Sequence, residues 1–214
     1  QGAGIRNAEI TDNHFHDFFG SSQTSNHDDM IQIWGTNANS VTANLTISGN
    51  FRDAGDSGIS QGIFIRNEEF GKDGTPTSGY FQNITITDNV IHNGAFHGIS
   101  VSDTNGVTIT SNTILKNEVS GLFNADGSTI TATEPWYNVS NAQNVAVTGN
   151  LGSRYIGQAD SAGNTVLVYD NTSDPMYVGN HIVNLSGQGD IGLGDMQIRT
   201  DSPLWGTTGA PMSS

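Results

Sequence analysis

Ile84-Thr85-Ile86-Thr87-Asp88-Asn89 is a short alternating strand closed by an asparagine, and it returns along almost the whole chain. The copies are Ala8-Glu9-Ile10-Thr11-Asp12-Asn13, Leu45-Thr46-Ile47-Ser48-Gly49-Asn50, Val107-Thr108-Ile109-Thr110-Ser111-Asn112 and Val145-Ala146-Val147-Thr148-Gly149-Asn150, with a faint last copy ending at Asn180. The motif is a degenerate N-V-T-I-T-x-N. Repetition at this scale is the mark of a stacked architecture, in which each unit buries its apolar face only against its neighbours. The closing asparagines stand 37, 39, 23, 38 and 30 residues apart. The 23-residue step reads as one bare coil of a parallel β-helix, and the longer steps as coils carrying inserted loops, such as 68–80 and 125–137. Asn suits a left-handed turn after a strand, and stacked Asn side chains form amide ladders.

A second strand type alternates with the first: Met30-Ile31-Gln32-Ile33-Trp34, Gly62-Ile63-Phe64-Ile65-Arg66, Gly98-Ile99-Ser100-Val101-Ser102 and Gly121-Leu122-Phe123-Asn124. Its aliphatic residues sit two apart and so share one face. No long stretch has helical periodicity. The expected fold is all-β: a right-handed parallel β-helix of about six or seven coils. Residues 1–199 would form the solenoid and residues 200–214 an irregular tail or linker. An antiparallel sandwich would need two-residue hairpin turns, whereas here the same strand recurs only after a whole coil.

The formal charge is −14, from 21 Asp and Glu against 7 Lys and Arg. Nucleic acid needs a basic footprint, so it is excluded as a partner. No apolar run reaches the length of about 18 residues that a membrane span needs. The chain has no Cys, so no disulfide staples it. It opens on Gln1, directly before a strand and with no polar cap, which points to a processed protein or part of a longer one.

The coils, together with Asn26-His27-Asp28-Asp29-Met30-Ile31-Gln32 and Gln61-Gly62-Ile63-Phe64-Ile65-Arg66, resemble the right-handed parallel β-helix superfamily of pectate-lyase-like proteins. That superfamily includes polysaccharide lyases, mannuronan C-5 epimerases and phage tailspikes. The resemblance covers most of the chain and concerns the fold. It implies carbohydrate chemistry in an extracellular or cell-surface setting, with a polysaccharide as partner. The epimerase Asp-Pro-His signature is absent, and only His27-Asp28 is similar to part of it. The usual lyase Lys/Arg pair is not evident either.

Aligned on Ile31, Ile63, Ile99 and Leu122, the second strand type sets out three columns: Gln32, Phe64, Ser100, Phe123; then Trp34, Arg66, Ser102; then Asp29, Gln61, His97, Ser120. All three are expected to face outward. A sugar chain needs aromatic faces to stack on and polar groups to orient its hydroxyls, which Trp34, Phe64, Gln32 and Glu68 would supply. Uronate elimination or C5 epimerisation needs a cation on the carboxylate, a base for the C5 proton and an acid opposite. Arg66 fits the first role and His97 or His27 the base. Asp28 or Asp29 fits the partner, or a ligand of Ca²⁺. Hydrolysis would instead need two carboxylates, for which Asp28 or Asp29 with Glu68 is the available pair.

Plainer readings exist for the same residues. Asp28 and Asp29 are suited to capping a turn, His97 to filling a coil corner, and Arg66 to a surface ion pair with Glu68 or Glu69. The competing function is a non-catalytic solenoid, an adhesin, tailspike or surface-layer segment. The small polar face written by Thr11, Thr46, Thr85, Thr108 and Ala146 would suit side-by-side packing into a homo-oligomer. Gly187–Gly192 spells G-x-G-x-x-G without a βαβ unit and is no dinucleotide site. His14 and His16 lack a third metal ligand at matching spacing.

Overall fold

The computed structural model of the protein describes residues 4–16, 29–36, 41–53, 60–71, 79–117, 122–123, 129–130, 133–160, 163–184 and 192–210. The chain winds as a parallel β-helix, in the right-handed sense that parallel crossovers take. The first coil is β1 (Arg6–Thr11), β2 (His14–Phe15) and β3 (Asp29–Gly35). The second is β4 (Ala43–Ser48), β5 (Phe51–Arg52) and β6 (Gln61–Asn67). The third is β7 (Phe81–Thr87), β8 (Val90–Asn93) and β9 (His97–Ser102). The fourth runs β10 (Thr104–Thr110), β11 (Thr113–Lys116), the pair β12 (Leu122–Phe123) and β13 (Thr129–Ile130), then β14 (Trp136–Ser140). The fifth is β15 (Gln143–Thr148), β16 (Leu151–Gly152) and β17 (Arg154–Gly157), and β18 (Thr165–Val166) begins a sixth. Strands one coil apart pair to give three parallel sheets.

The registers explain the repeat. Ile10, Ile47, Ile86, Ile109 and Val147 stand in one file across the first sheet. Ile33, Ile65, Val101 and Val139 form the facing file in the third sheet. Ile47, Ile86, Ile109, Ile65 and Val101 are completely shut off from solvent. Each such aliphatic side chain is worth about 1.5–3 kcal/mol of burial. In the fourth and fifth coils Tyr137 and Tyr155 stack inside the tube with ring centroids 4.8 Å apart. Tyr137 donates to the carbonyls of Asn112 and Leu151, so each buried hydroxyl finds the partner it needs.

The predicted amide ladder is present. Side-chain amides pass from Asn13 to Asn50, Asn89, Asn112, Asn150 and Asn164 at 2.9–3.0 Å per step. Its sixth rung is Asn164; Asn180 lies instead in a 3-10 turn, Val178–Asn180. The left-handed residue of each turn is the one before the asparagine: Asp12, Gly49, Asp88, Ser111 and Gly149.

The regular coils end at β18. From Leu167 to Ala210 the described chain is turns, the 3-10 turn and isolated bridges. This segment is no loose tail. Tyr169, Val178, Ile182, Met196 and Ile198 form a second apolar cluster with Phe51, Val90, Leu115 and Leu151 of the second sheet. Those four strand residues point away from the tube, so the second sheet is buried on both faces. In the first sheet, Thr46 stands opposite Glu9 rather than Thr11, which pairs with Ser48.

Candidate functional site

The outer face of the third sheet carries the aromatic and charged residues. Its strand order is β17, β14, β9, β6, β3. Gln32 sits beside Phe64, Phe64 beside Ser100, and Ser100 beside Asn138; Trp34 sits beside Arg66. The structure therefore brings Trp34, Gln32, Phe64 and Arg66 together as the spacing predicts. Trp34 is 53% exposed. Glu68 follows β6 directly, exposed, with its backbone N–H donating to the Gly35 carbonyl.

The fourth strand is not the expected one. Leu122 and Phe123 pair antiparallel with Thr129–Ile130 in the insertion, and Trp136–Ser140 takes the place in the sheet. The aligned columns thus continue into Trp136 and Asn138, not into Ser120 and Phe123.

The third column divides. Asp29 and Gln61 share the parity of Ile31 and Ile63, and a period of two turns them inward. The Asp29 carboxylate and the Gln61 amide oxygen are shut off from solvent. Arg52 is fully buried and donates to the Gln61 backbone carbonyl (2.6 Å) and to the Ser60 hydroxyl. Burial pulls the Arg52 guanidinium down to about 10, against the pull of Asp29 and Asp53, which hold it charged. The expectation that Asp29 lies on the outer face with Glu68 is therefore not met; its carboxylate helps balance a buried cation.

His97 does reach the outer face, by a different route. Trp136 pairs with His97 and Tyr137 with Ile99, so β9 has one extra residue at Gly98. Such a bulge re-aims a side chain. A Cβ on Gly98 would stand 2.7 Å from Ile114 Cδ1 and 3.0 Å from the Trp136 carbonyl, so the close approach needs glycine. The His97 ring then lies edge-on to Phe64, centroids 5.1 Å apart, and edge-on to Trp136 at 5.7 Å. Phe96 stacks on Trp136 at 5.1 Å, and the Arg154 guanidinium sits over the same indole at 5.4 Å. Trp136 Nε1 donates to His97 Nδ1 at 3.3 Å, and Ser100 Oγ is 2.5 Å from the same nitrogen. An indole N–H can only donate, so Nδ1 accepts and the neutral ring carries its proton on Nε2. In this tautomer the Nε2–H of His97 is a hydrogen-bond donor.

Arg66 Nε lies 3.7 Å from Asp103 Oδ2, and Asn141 donates to Asp103 Oδ1 at 2.7 Å. Burial pushes the Asp103 carboxyl up from its ordinary range, while Asn141 and Arg66 pull it back. His27 and Asp28, and with them the expected calcium ligand pair, lie outside the described residues. Among the described residues no three His, Cys, Asp or Glu cluster closely enough to hold a metal ion. Sequence reasoning missed Phe96, Trp136, Asn138 and Arg154. The signal for two of them was the inward pair Tyr137 and Val139, which marks Trp136–Ser140 as a strand of the second type.

The right-handed β-helix region family matches residues 1–135, more than half of the 214-residue chain, and the chain belongs to that family. The coils continue past the matched part, through β14 to β18. No curated protein and no solved structure matches the chain. No helix among the described residues is long and apolar enough to cross a membrane.

Proposed function

We propose that this β-helix binds an acidic, uronate-containing polysaccharide along the outer face of its third sheet, outside the cell or at its surface, and acts on it by lyase or C5-epimerase chemistry. The observation that carries the reading is the aromatic lane Phe64, His97, Trp136 and Phe96, with Arg66 and Arg154 beside it. Ring faces stack on the C–H face of a sugar, and guanidinium forks pair with its carboxylate. Two of the seven cationic side chains of a strongly acidic chain stand on this one face, where they offset the long-range repulsion of a polyanion.

In elimination, the C5 proton leaves to a base, a C4–C5 double bond forms, the C4–O bond breaks and the departing oxygen takes a proton. Arg66 or Arg154 neutralises the carboxylate, and His97 Nε2–H donates a hydrogen bond to the departing oxygen, which takes its proton from water. The base falls to His27 or Asp28. Asp28 would also be the ligand of any Ca²⁺ that takes part. The second reading is a glycan-binding solenoid without catalysis, and the inward turn of Asp29 favours it.

The test incubates the protein with alginate, pectate, hyaluronan and gellan in D₂O, with and without calcium. It reads ultraviolet absorbance for the unsaturated product and NMR for deuterium at C5. Absorbance identifies a lyase, and deuterium without absorbance an epimerase. Binding that Trp136→Ala weakens, with neither signal, leaves the solenoid binder. No binding to any acidic polymer refutes the proposal.

A further inference from the structure

We propose a second carbohydrate site, for an uncharged sugar unit, in the cavity between the C-terminal segment and the corner of the first and second sheets. It is separate from the third sheet and does not rest on the reading of that face. The segment 204–210 crosses the ladder corner at the fourth and fifth coils. Gly209 N–H donates to the Gly149 carbonyl at 2.9 Å, and Ala210 N–H to Thr113 Oγ1 at 3.0 Å. Thr208 Oγ1 donates toward the carbonyls of Gly149 and Asn150 at 3.2 Å. These bonds fix one wall against the solenoid.

Behind that wall lies a cavity of about 370 Å³, lined by Ser111, Ile198, Trp205, Thr207 and Thr208 along with glycines and Ala210. Its size is within the range of small-ligand pockets, about 300–1,000 Å³. Its chemistry is narrow. Trp205, 43% exposed, and Ile198 give an apolar wall. Thr207 and Thr208 spend their protons on the Leu204, Gly149 and Asn150 carbonyls and so offer lone pairs. Ser111, held in a left-handed turn with φ of 55°, makes no side-chain hydrogen bond to another described residue and can donate.

Among the described residues, no ionisable one lines the cavity. An anion would meet no counter-charge there and a net charge of −14 around it. A cation would meet no carboxylate. A pyranose has an apolar face and a rim of hydroxyls that both donate and accept, which is the complement of this lining.

The test is calorimetric titration of the full chain with neutral gluco-, manno-, xylo- and galacto-oligosaccharides. Wild type should bind at least one of them. Trp205→Ala should weaken that binding about tenfold, the loss of one ring's stacking, and Trp205→Phe should restore most of it. Ser111→Ala, which leaves the contacts of segment 204–210 in place, should weaken binding several-fold. Trp136→Ala should leave it unchanged, although the same variant weakens uronate binding on the third sheet, so the two proposals fail separately. The inference is overturned if no neutral oligosaccharide binds at millimolar concentration, or if Trp205→Ala and Ser111→Ala both bind as wild type does.

Discussion

Replacing Asn112 by Ala removes the middle of the amide ladder, and the cost follows from its bonds. Asn112 Nδ2 donates to the Ile86 and Thr110 carbonyls and to Asn150 Oδ1, at 2.9–3.0 Å. Its Oδ1 accepts from the backbone N–H of Asn89 at 3.0 Å and from Asn89 Nδ2 at 2.9 Å. Most of these groups keep another partner. Asn89 Nδ2 still reaches the Ile47 and Thr87 carbonyls, Asn150 Oδ1 still accepts the backbone N–H of residue 112, and the Thr110 carbonyl still accepts from Asp88. The group left buried without an acceptor is the Asn89 N–H. One such orphan costs about 1–3 kcal/mol, and the space left by the amide adds to it. The expected loss is about 3 kcal/mol.

The contrast is Asn44→Gly in a second ladder, which runs over the exposed face of the first sheet. There Asn44 donates to Asn7 and accepts from Asn83 at 2.8 and 3.0 Å. Water can replace both bonds, and Gly suits a φ of 54°. In the same file Gly106, at φ 84°, already stands where an asparagine would continue the row. Asn44→Gly should cost less than about 1 kcal/mol. Urea unfolding followed by circular dichroism measures both, and hydrogen exchange should show lost protection at the Asn89 amide of the Asn112 variant. If Asn112→Ala unfolds within about 0.5 kcal/mol of wild type, or if Asn44→Gly loses as much, burial is not what gives the inner ladder its value.

Arg52→Met should destabilise by about 3–5 kcal/mol, because Asp29 and Asp53 lose their buried cation; adding Asp29→Asn should recover part of that in the same unfolding assay. Asp103 has a folded-state pKa above its unfolded value, so the native state holds its proton longer. Asp103 therefore weakens stability as pH rises from about 4. Asp103→Asn should flatten this fall in melting temperature with pH, and an unchanged slope would rule out the effect. Trp136→Ala should weaken binding to an acidic polysaccharide about tenfold through lost stacking and cation–π contact, measured by affinity electrophoresis. Arg66→Ala should lower the salt sensitivity of that binding.

How far the chain could be read beforehand depends on which physical signal each residue carries. Leu45 and Ile47, Ile84 and Ile86, and Val107 and Ile109 each stand two apart, and the asparagines mark each corner, so the coil and its core were legible. Parity alone also places Asp29 and Gln61 inward, since they stand two residues before an inward Ile. His97 has the same parity and comes out only because β9 bulges at Gly98. A bulge breaks the period locally and leaves no mark beyond a glycine that also looks like Gly62, which starts no such bulge. Gly121-Leu122 imitates the same start, yet the strand that completes the sheet begins at Trp136. An insertion within a coil moves a strand along the sequence without moving it in space, so spacing cannot find it.

The second sheet shows what the described residues from Leu167 on are packed against. Val90-Ile91 and Ile114-Leu115 put apolar residues side by side, which a half-exposed strand does not tolerate. One member of each pair fills the tube, and the other requires a cover. The cover comes from residues such as Tyr169, Val178, Ile182, Met196 and Ile198. Among the described residues, no such segment packs over the outer face of the third sheet. That face holds Trp34 and the lane from Phe64 to Arg154. Under the proposed function, a polymer lying there would cross strands about 4.8 Å apart, so that successive sugar units would meet residues from different coils: Phe64 from the second, His97 from the third, Trp136 from the fourth and Arg154 from the fifth. Specificity in that proposal would be written in how neighbouring coils differ, while the repeat itself sets the spacing.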